Sequence, residues 1–92
     1  MNVINKDDLN EWLNNHDDWQ FIEGDLVLEM EFNDFVTAFG FLTSVAILSE
    51  KIGHHPTIEN SFNLVRLSLS THDANNQITT KDLELAEAID EL

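Results

Sequence analysis

Cysteine is absent from the 92-residue chain, which removes disulfide frameworks, thiolate metal sites and cysteine nucleophiles together. Cations are almost as scarce: 4 Lys+Arg stand against 18 Asp+Glu, a formal net charge of -14 with histidine neutral. Lys6, Lys51, Arg66 and Lys81 are scattered, whereas gripping a phosphate backbone or an anionic bilayer needs clustered positive charge. Direct nucleic-acid binding and membrane docking are therefore not expected, and the acidity reads as solubility. The longest uncharged run, Phe35 to Ser49, falls short of the roughly 20 apolar residues of a spanning helix. The opening Met1-Asn2-Val3-Ile4-Asn5-Lys6 has no apolar stretch behind a basic start, so no secretory signal is expected. A single proline and three glycines leave no linker or low-complexity tract. The expectation is one soluble, cytoplasmic domain over residues 1–92.

What is present is ordinary globular composition, 42% hydrophobic and 24% charged. Asn5 can cap a short helix from Lys6 to about Asn15, with Asp7 and Asp8 at the positive end of its dipole and Leu9, Trp12 and Leu13 on one stripe. Trp19 to Ile22, a turn at Glu23-Gly24-Asp25, and the alternating run Leu26 to Phe32 read as a hairpin. A second helix is expected from Asp34 to Ile52, capped by Asn33 and stopped by Gly53. One stripe of it is Phe35, Ala38, Phe39, Leu42, Val45, Ala46 and Ser49, and a second is Phe41, Ser44 and Leu48 with Val36 nearby. So small a domain cannot hide both, so the Phe41/Leu48 face is expected to bind a second copy. A second hairpin, Thr57–Ser61 and Leu64–Ser70, turns at Phe62-Asn63, where Asn63 suits positive φ. After a polar loop, Asp73 to Gln77, the capping-box pattern Thr79-Thr80-Lys81-Asp82 opens a last helix to Leu92 that turns Leu85, Ala86, Ile89 and Leu92 inward. The order α-ββ-α-ββ-α predicts an α+β two-layer domain, a four-stranded antiparallel sheet with helices on one face.

Histidine is the informative residue type. His16 reads as a solvated residue at the end of the first helix. If the second hairpin turns at Phe62-Asn63 and its pairing continues outward, His55 faces Ser70, His54 faces Thr71 and Gly53 lies beside His72. Opposed side chains in such a ladder are about 5 Å apart, so His54, His55 and His72 are expected at one end of the sheet. Gly53 permits a left-handed exit from the helix and Pro56 holds His55 extended. An unperturbed imidazole titrates at about pH 6.5, so such a cluster near Glu50 and Asp82 suits a reaction that delivers one proton and removes another. A three-histidine zinc site is the rival chemistry, although two adjacent ligands plus one across a ladder is not the usual spacing. Polar residues at a sheet edge with no chemical role are the third possibility. Ser70 and Thr71 lack a triad, which leaves a serine nucleophile weak.

These same residues resemble those of the pterin-4a-carbinolamine dehydratase family. The resemblance is carried by Glu50-Lys51-Ile52-Gly53-His54-His55-Pro56, by Phe62, by Ser70-Thr71-His72 and by Asp82. Phe32-Asn33-Asp34-Phe35, Ala38-Phe39-Gly40-Phe41 and Val45-Ala46 extend it, so that it spans Trp12 to Ile89. It implies removal of water from a 4a-hydroxytetrahydropterin to give the quinonoid dihydropterin, which recycles the pterin of aromatic amino acid hydroxylases, with no metal and no bound cofactor. By analogy His54 and His72 form the acid/base pair, and His55 binds and orients the pterin. Glu50, Pro56, Ser70 and Thr71 line the substrate site, and Asp82 orients His72 or the ring.

Two departures from the family pattern stand out. Ile58 occupies a position where the family often has tryptophan, and Asn75-Asn76-Gln77 replaces a shorter glycine-containing turn. Trp19 is expected in the core, with an aromatic wall for the pterin as its alternative role. The resemblance also implies a homodimer or homotetramer formed partly through the long helix, and an aromatic amino acid hydroxylase as a possible partner. Some members of the family are dimerisation partners of a homeodomain transcription factor. The alternative function is accordingly a non-enzymatic interaction module acting through the long helix.

Overall fold

Alternating apolar residues, helix stripes and turn signals resolve into eight elements in the computed structural model, which describes residues 2–92. They are α1 (Lys6–Asn14), β1 (Trp19–Ile22), β2 (Asp25–Glu31), α2 (Phe35–Ile52), β3 (Thr57–Ser61), β4 (Leu64–Leu69), a 3-10 turn (His72–Ala74) and α3 (Thr80–Asp90). The strands form one antiparallel sheet in the order β1-β2-β4-β3, so the expected α+β architecture is the observed one. Leu26, Leu28, Val65, Leu67 and Leu69 project from the two central strands into one core with Ala38, Leu42 and Val45 of α2 and Leu85, Ala86 and Ile89 of α3. Glu29, Glu31, Glu59 and Arg66 alternate onto the opposite, polar face, the pattern of a sheet covered on one side.

Local chemistry explains where the elements begin and end. The Asn5 side chain accepts the Asp8 amide at the start of α1, and Gly53, at φ 76, closes α2 with its amide on the Ser49 carbonyl. Asp34, not Asn33, caps α2, its carboxylate accepting the Thr37 amide at 2.7 Å. Asn33 lies one residue too early to reach that donor. In the β3–β4 turn the positive φ falls on Phe62 (52°) rather than Asn63. The Asn63 side chain is committed elsewhere, donating to the Phe32 carbonyl at 2.8 Å while the Asn63 backbone carbonyl accepts the Phe32 amide. Asn60 satisfies the turn through bonds to the Phe62 and Leu64 carbonyls. Trp19 is buried and its indole N–H donates to Asp90, which makes it a core residue. His16 is not solvated: its ring stacks on Trp12 with centroids 3.9 Å apart, and Nδ1 meets the Trp12 carbonyl at 2.7 Å. Leu92 does not turn inward, because α3 ends at Asp90.

Helix α2 has 18 residues and a mean hydropathy of 1.5, enough by length and composition to cross a bilayer and longer than the uncharged run alone implied. Ala38, Leu42, Val45 and Ser49 build one stripe of it into the core. The face left over differs from expectation. Phe41 and Leu48 are half-buried against the core, Phe41 beside Phe32 at 5.1 Å, whereas Phe35, Val36, Phe39 and Ile47 are exposed. At about 100° per residue, an inward stripe centred on Ala38, Leu42 and Val45 carries Phe41 and Leu48 along one flank. Phe35 and Phe39 fall on the other flank, their rings edge to face with centroids 5.6 Å apart.

Candidate active site

Gly53 turns the chain out of α2 and delivers His54 to the N-terminal turn of α3. His54 Nε2 lies 2.6 Å from Asp82 Oδ1; the imidazole is 13% exposed and the carboxylate fully buried. Asp82 owes its position to the capping box, in which it accepts the Thr79 amide at 2.8 Å through Oδ2. The same Oδ2 accepts the Thr71 hydroxyl at 2.7 Å, and that hydroxyl also lies 2.7 Å from the Thr79 hydroxyl. A buried carboxylate is tolerable only when it is hydrogen-bonded, and both oxygens of Asp82 have partners, two at Oδ2 and His54 at Oδ1. No buried side-chain nitrogen or oxygen is left without a partner among the described residues. Lys81 ties the two helix ends together, its Nζ donating to the Ile52 carbonyl at 3.2 Å.

His55, the next residue, pairs with the other nearby carboxylate. Its Nε2 lies 2.5 Å from Glu50 Oε2, but this pair stands in solvent, with the side chains 61% and 79% exposed. The two adjacent histidines thus differ in environment. The His54 pair is screened from water and held by α3, and the His55 pair is open and carried by the last turns of α2. Exposed pairs of this kind contribute little to stability.

His72 follows Thr71 directly and opens the 3-10 turn; it is exposed, with no hydrogen-bond partner among the described residues. The expected pairing of His55 with Ser70, His54 with Thr71 and Gly53 with His72 does not form. The β3–β4 register is the expected one from Ser61↔Leu64 to Thr57↔Ser68, and there it stops. Pro56 has no N–H to continue the ladder, and Thr71 instead bridges to Gln77. The histidines are brought to this end of the sheet by a helix exit and a 3-10 turn. Asn75 and Asn76 supply the left-handed conformations (φ 57 and 60) that the turn needs.

Other expected site residues fall in different layers. Pro56 and Ser70 are half-buried beside the histidines in sequence, and Glu50 is exposed. Thr71 is buried, and its hydroxyl is occupied by Asp82 and Thr79, so it stands behind the site rather than lining it. Asp82 meets His54, not His72. Thr79 carried a signal in the sequence only as a helix cap; that its hydroxyl reaches Thr71 follows from the bridge between the Thr71 and Gln77 segments. An open hollow of about 530 Å³ lies at the far end of β2, β4 and β3, lined by residues that include Glu29, Glu59, Asn60, Leu64 and Arg66. Arg66 is shared there between Glu29 at 3.9 Å and Glu59 at 3.5 Å. Such exposed ion pairs offer no group built for proton transfer, whereas His54 and Asp82 do, so chemistry takes precedence over volume in locating the site. Among the described residues no three His, Asp or Glu side chains cluster as metal ligands.

Comparison with known proteins bears on the same residues. A family model described as pterin 4 alpha carbinolamine dehydratase matches residues 2–92. A Prochlorococcus marinus protein named "Putative pterin-4-alpha-carbinolamine dehydratase" is 42% identical over 92 residues, covering 100% of this chain and 96% of its own. A Chloroflexus aurantiacus protein of the same name is 40% identical, covering 100% of this chain and 98% of its own. A crystal structure described as a transcriptional coactivator/pterin dehydratase from Brucella melitensis superposes with a TM-score of 0.90 at 34% identity, over 98% of this chain and 97% of that one. With the whole chain matched in sequence and in fold, this protein belongs to the pterin-4-alpha-carbinolamine dehydratase family.

Proposed function

We propose that the protein removes water from a 4a-hydroxytetrahydropterin to give the quinonoid dihydropterin, by general acid/base catalysis at His54 and His72. The observation that carries this reading is the half-buried His54 imidazole bound to the buried Asp82 carboxylate, in a chain that belongs to the dehydratase family throughout. In the reaction the lone pair of the ring nitrogen beside the carbinol carbon forms the new C=N bond as the C–O bond breaks. An acid protonates the departing hydroxyl so that it leaves as water, and a base takes the proton from that nitrogen. Two imidazoles can divide these tasks and exchange their protons with solvent afterwards. His54 has Nε2 committed to Asp82, which leaves Nδ1 for the reaction; His72, exposed and without a hydrogen-bond partner among the described residues, is the second proton carrier. His55, steadied by Glu50, binds and orients the pterin with Pro56 and Ser70 beside it. The chemistry needs no metal and no bound cofactor.

The exposed Phe35, Val36, Phe39 and Ile47 support self-association through α2 as a homodimer or homotetramer. The same face would serve the interaction-module reading, which the Brucella structure's description as a coactivator keeps relevant. A stopped-flow assay with chemically generated 4a-carbinolamine separates the two. Dehydration well above the buffer rate is the expected result, and a rate no faster than buffer leaves only the interaction module. Cytoplasmic recycling of the pterin for an aromatic amino acid hydroxylase is the corresponding physiological role.

A further inference from the structure

Thr71 and Thr79 are buried; the Thr71 hydroxyl meets the carboxylate that holds His54, and the Thr79 hydroxyl meets that of Thr71. Their protons can be assigned by elimination. Asp82 Oδ2 receives the Thr79 amide and the Thr71 hydroxyl, so the single Thr71 proton is spent on Asp82. The 2.7 Å contact between the two hydroxyls must then be a donation from Thr79 to Thr71. Thr79 Oγ1 in turn accepts the Lys81 amide at 3.2 Å. Every step runs toward Asp82, and a hydroxyl has only one proton to give. With Oδ2 saturated, the one remaining proton of the cluster lies between Oδ1 and His54 Nε2. A carboxylate oxygen only accepts, so Nε2 is the donor in that 2.6 Å contact. Thr71 cannot rotate out of this arrangement easily, because its amide is bonded to the Gln77 carbonyl at 2.9 Å and the residue is buried.

We infer that Thr71 and Thr79 are positioning residues: their one-way hydrogen-bond chain saturates Asp82 and so holds His54 as the Nε2–H tautomer, with Nδ1 as its proton-exchanging nitrogen. This deepens the dehydratase reading and rests on it for its kinetic consequence, while the tautomer itself is independent of any substrate. Thr71 is the residue to vary, since valine matches its shape without the hydroxyl and serine keeps the hydroxyl without the methyl.

The test is nitrogen-15 NMR of the full chain at about pH 8, above the ordinary imidazole range, together with kcat on the carbinolamine. The wild type and Thr71→Ser should show His54 protonated at Nε2. Thr71→Val should show a mixture of tautomers and lose up to about 10²-fold in kcat, the scale of a misplaced catalytic group, with KM little changed. Recovery of kcat by Thr71→Ser supports the hydroxyl as the cause. A wild-type His54 protonated at Nδ1 overturns the inference, whether or not Thr71→Val folds. So does a Thr71→Val protein with an unaltered tautomer and kcat, or a serine variant as impaired as the valine one. An inactive wild type would sink the proposed reaction instead, and the spectrum would still decide the tautomer.

Discussion

Asp82 serves His54 and the first turn of α3 at once: Oδ1 lies 2.6 Å from the imidazole, and Oδ2 closes the capping box on the Thr79 amide. A helix cap is among the better-fixed points in a small domain, because its donor and acceptor are set by backbone geometry. Building the histidine's partner into the cap therefore orients the ring without a dedicated scaffold. The neighbouring pair, His55 with Glu50, has no such support and stands in solvent.

Asp82→Asn should preserve the fold and remove most of the activity. Oδ2 occupies a place with two donors, so the amide oxygen must go there and the amide nitrogen must face His54. His54 would then accept at Nε2 and carry its proton on Nδ1, the wrong nitrogen. A loss of about 10²–10⁴-fold in kcat is expected, with circular dichroism unchanged. Retention of full activity would contradict the role given to the pair.

Glu50→Gln should behave differently. Both partners are more than half exposed, so the stability change in urea should stay within about 1 kcal/mol. Weaker orientation of His55 should appear as a higher KM with kcat largely kept. A kcat loss as large as that of Asp82→Asn would place His55 among the proton-transfer groups.

Asp34 gives a pH dependence with a definite sign. Bonds from the Thr37 hydroxyl and amide hold its carboxyl below the ordinary value of 3.8. A group whose pKa is lower in the folded than in the unfolded chain stabilises the fold above the unfolded value, and loses that contribution as pH falls through the folded one. Asn caps as well as Asp but does not titrate, so Asp34→Asn should melt with less acid sensitivity below about pH 4. Parallel melting curves for the two proteins across that range would show that Asp34 contributes nothing there.

Val36→Glu tests the outer face of α2. Val36 is 79% exposed, so a charge there costs the single chain little. If α2 joins copies of the chain, the substitution buries a charge at the interface and should shift sedimentation toward monomer, with the secondary structure intact. An unchanged mass would exclude that face.

Local features could be read from a few consecutive residues. Asn5, Gly53 and the Thr79–Asp82 box each act within one helical turn, and the inward Val65, Leu67 and Leu69 follow from the period-two geometry of a strand. The Ser61↔Leu64 register followed from the two-residue turn. Errors arose where two segments compete for one group. Phe62 takes the strained turn position because Asn63 is needed by Phe32, and His16 is half-buried because Trp12 offers it a ring to stack on.

What the sequence alone determined, then, is the element order and the sheet it makes, because these follow from periodicity and backbone chemistry over short spans. Which imidazole meets Asp82, which threonines stand behind it and which flank of α2 stays bare were decided by packing. They depend on how the end of α2 lies against the start of α3, a placement set by the whole core and by the Lys81–Ile52 bond, and no local stretch of the chain contains it.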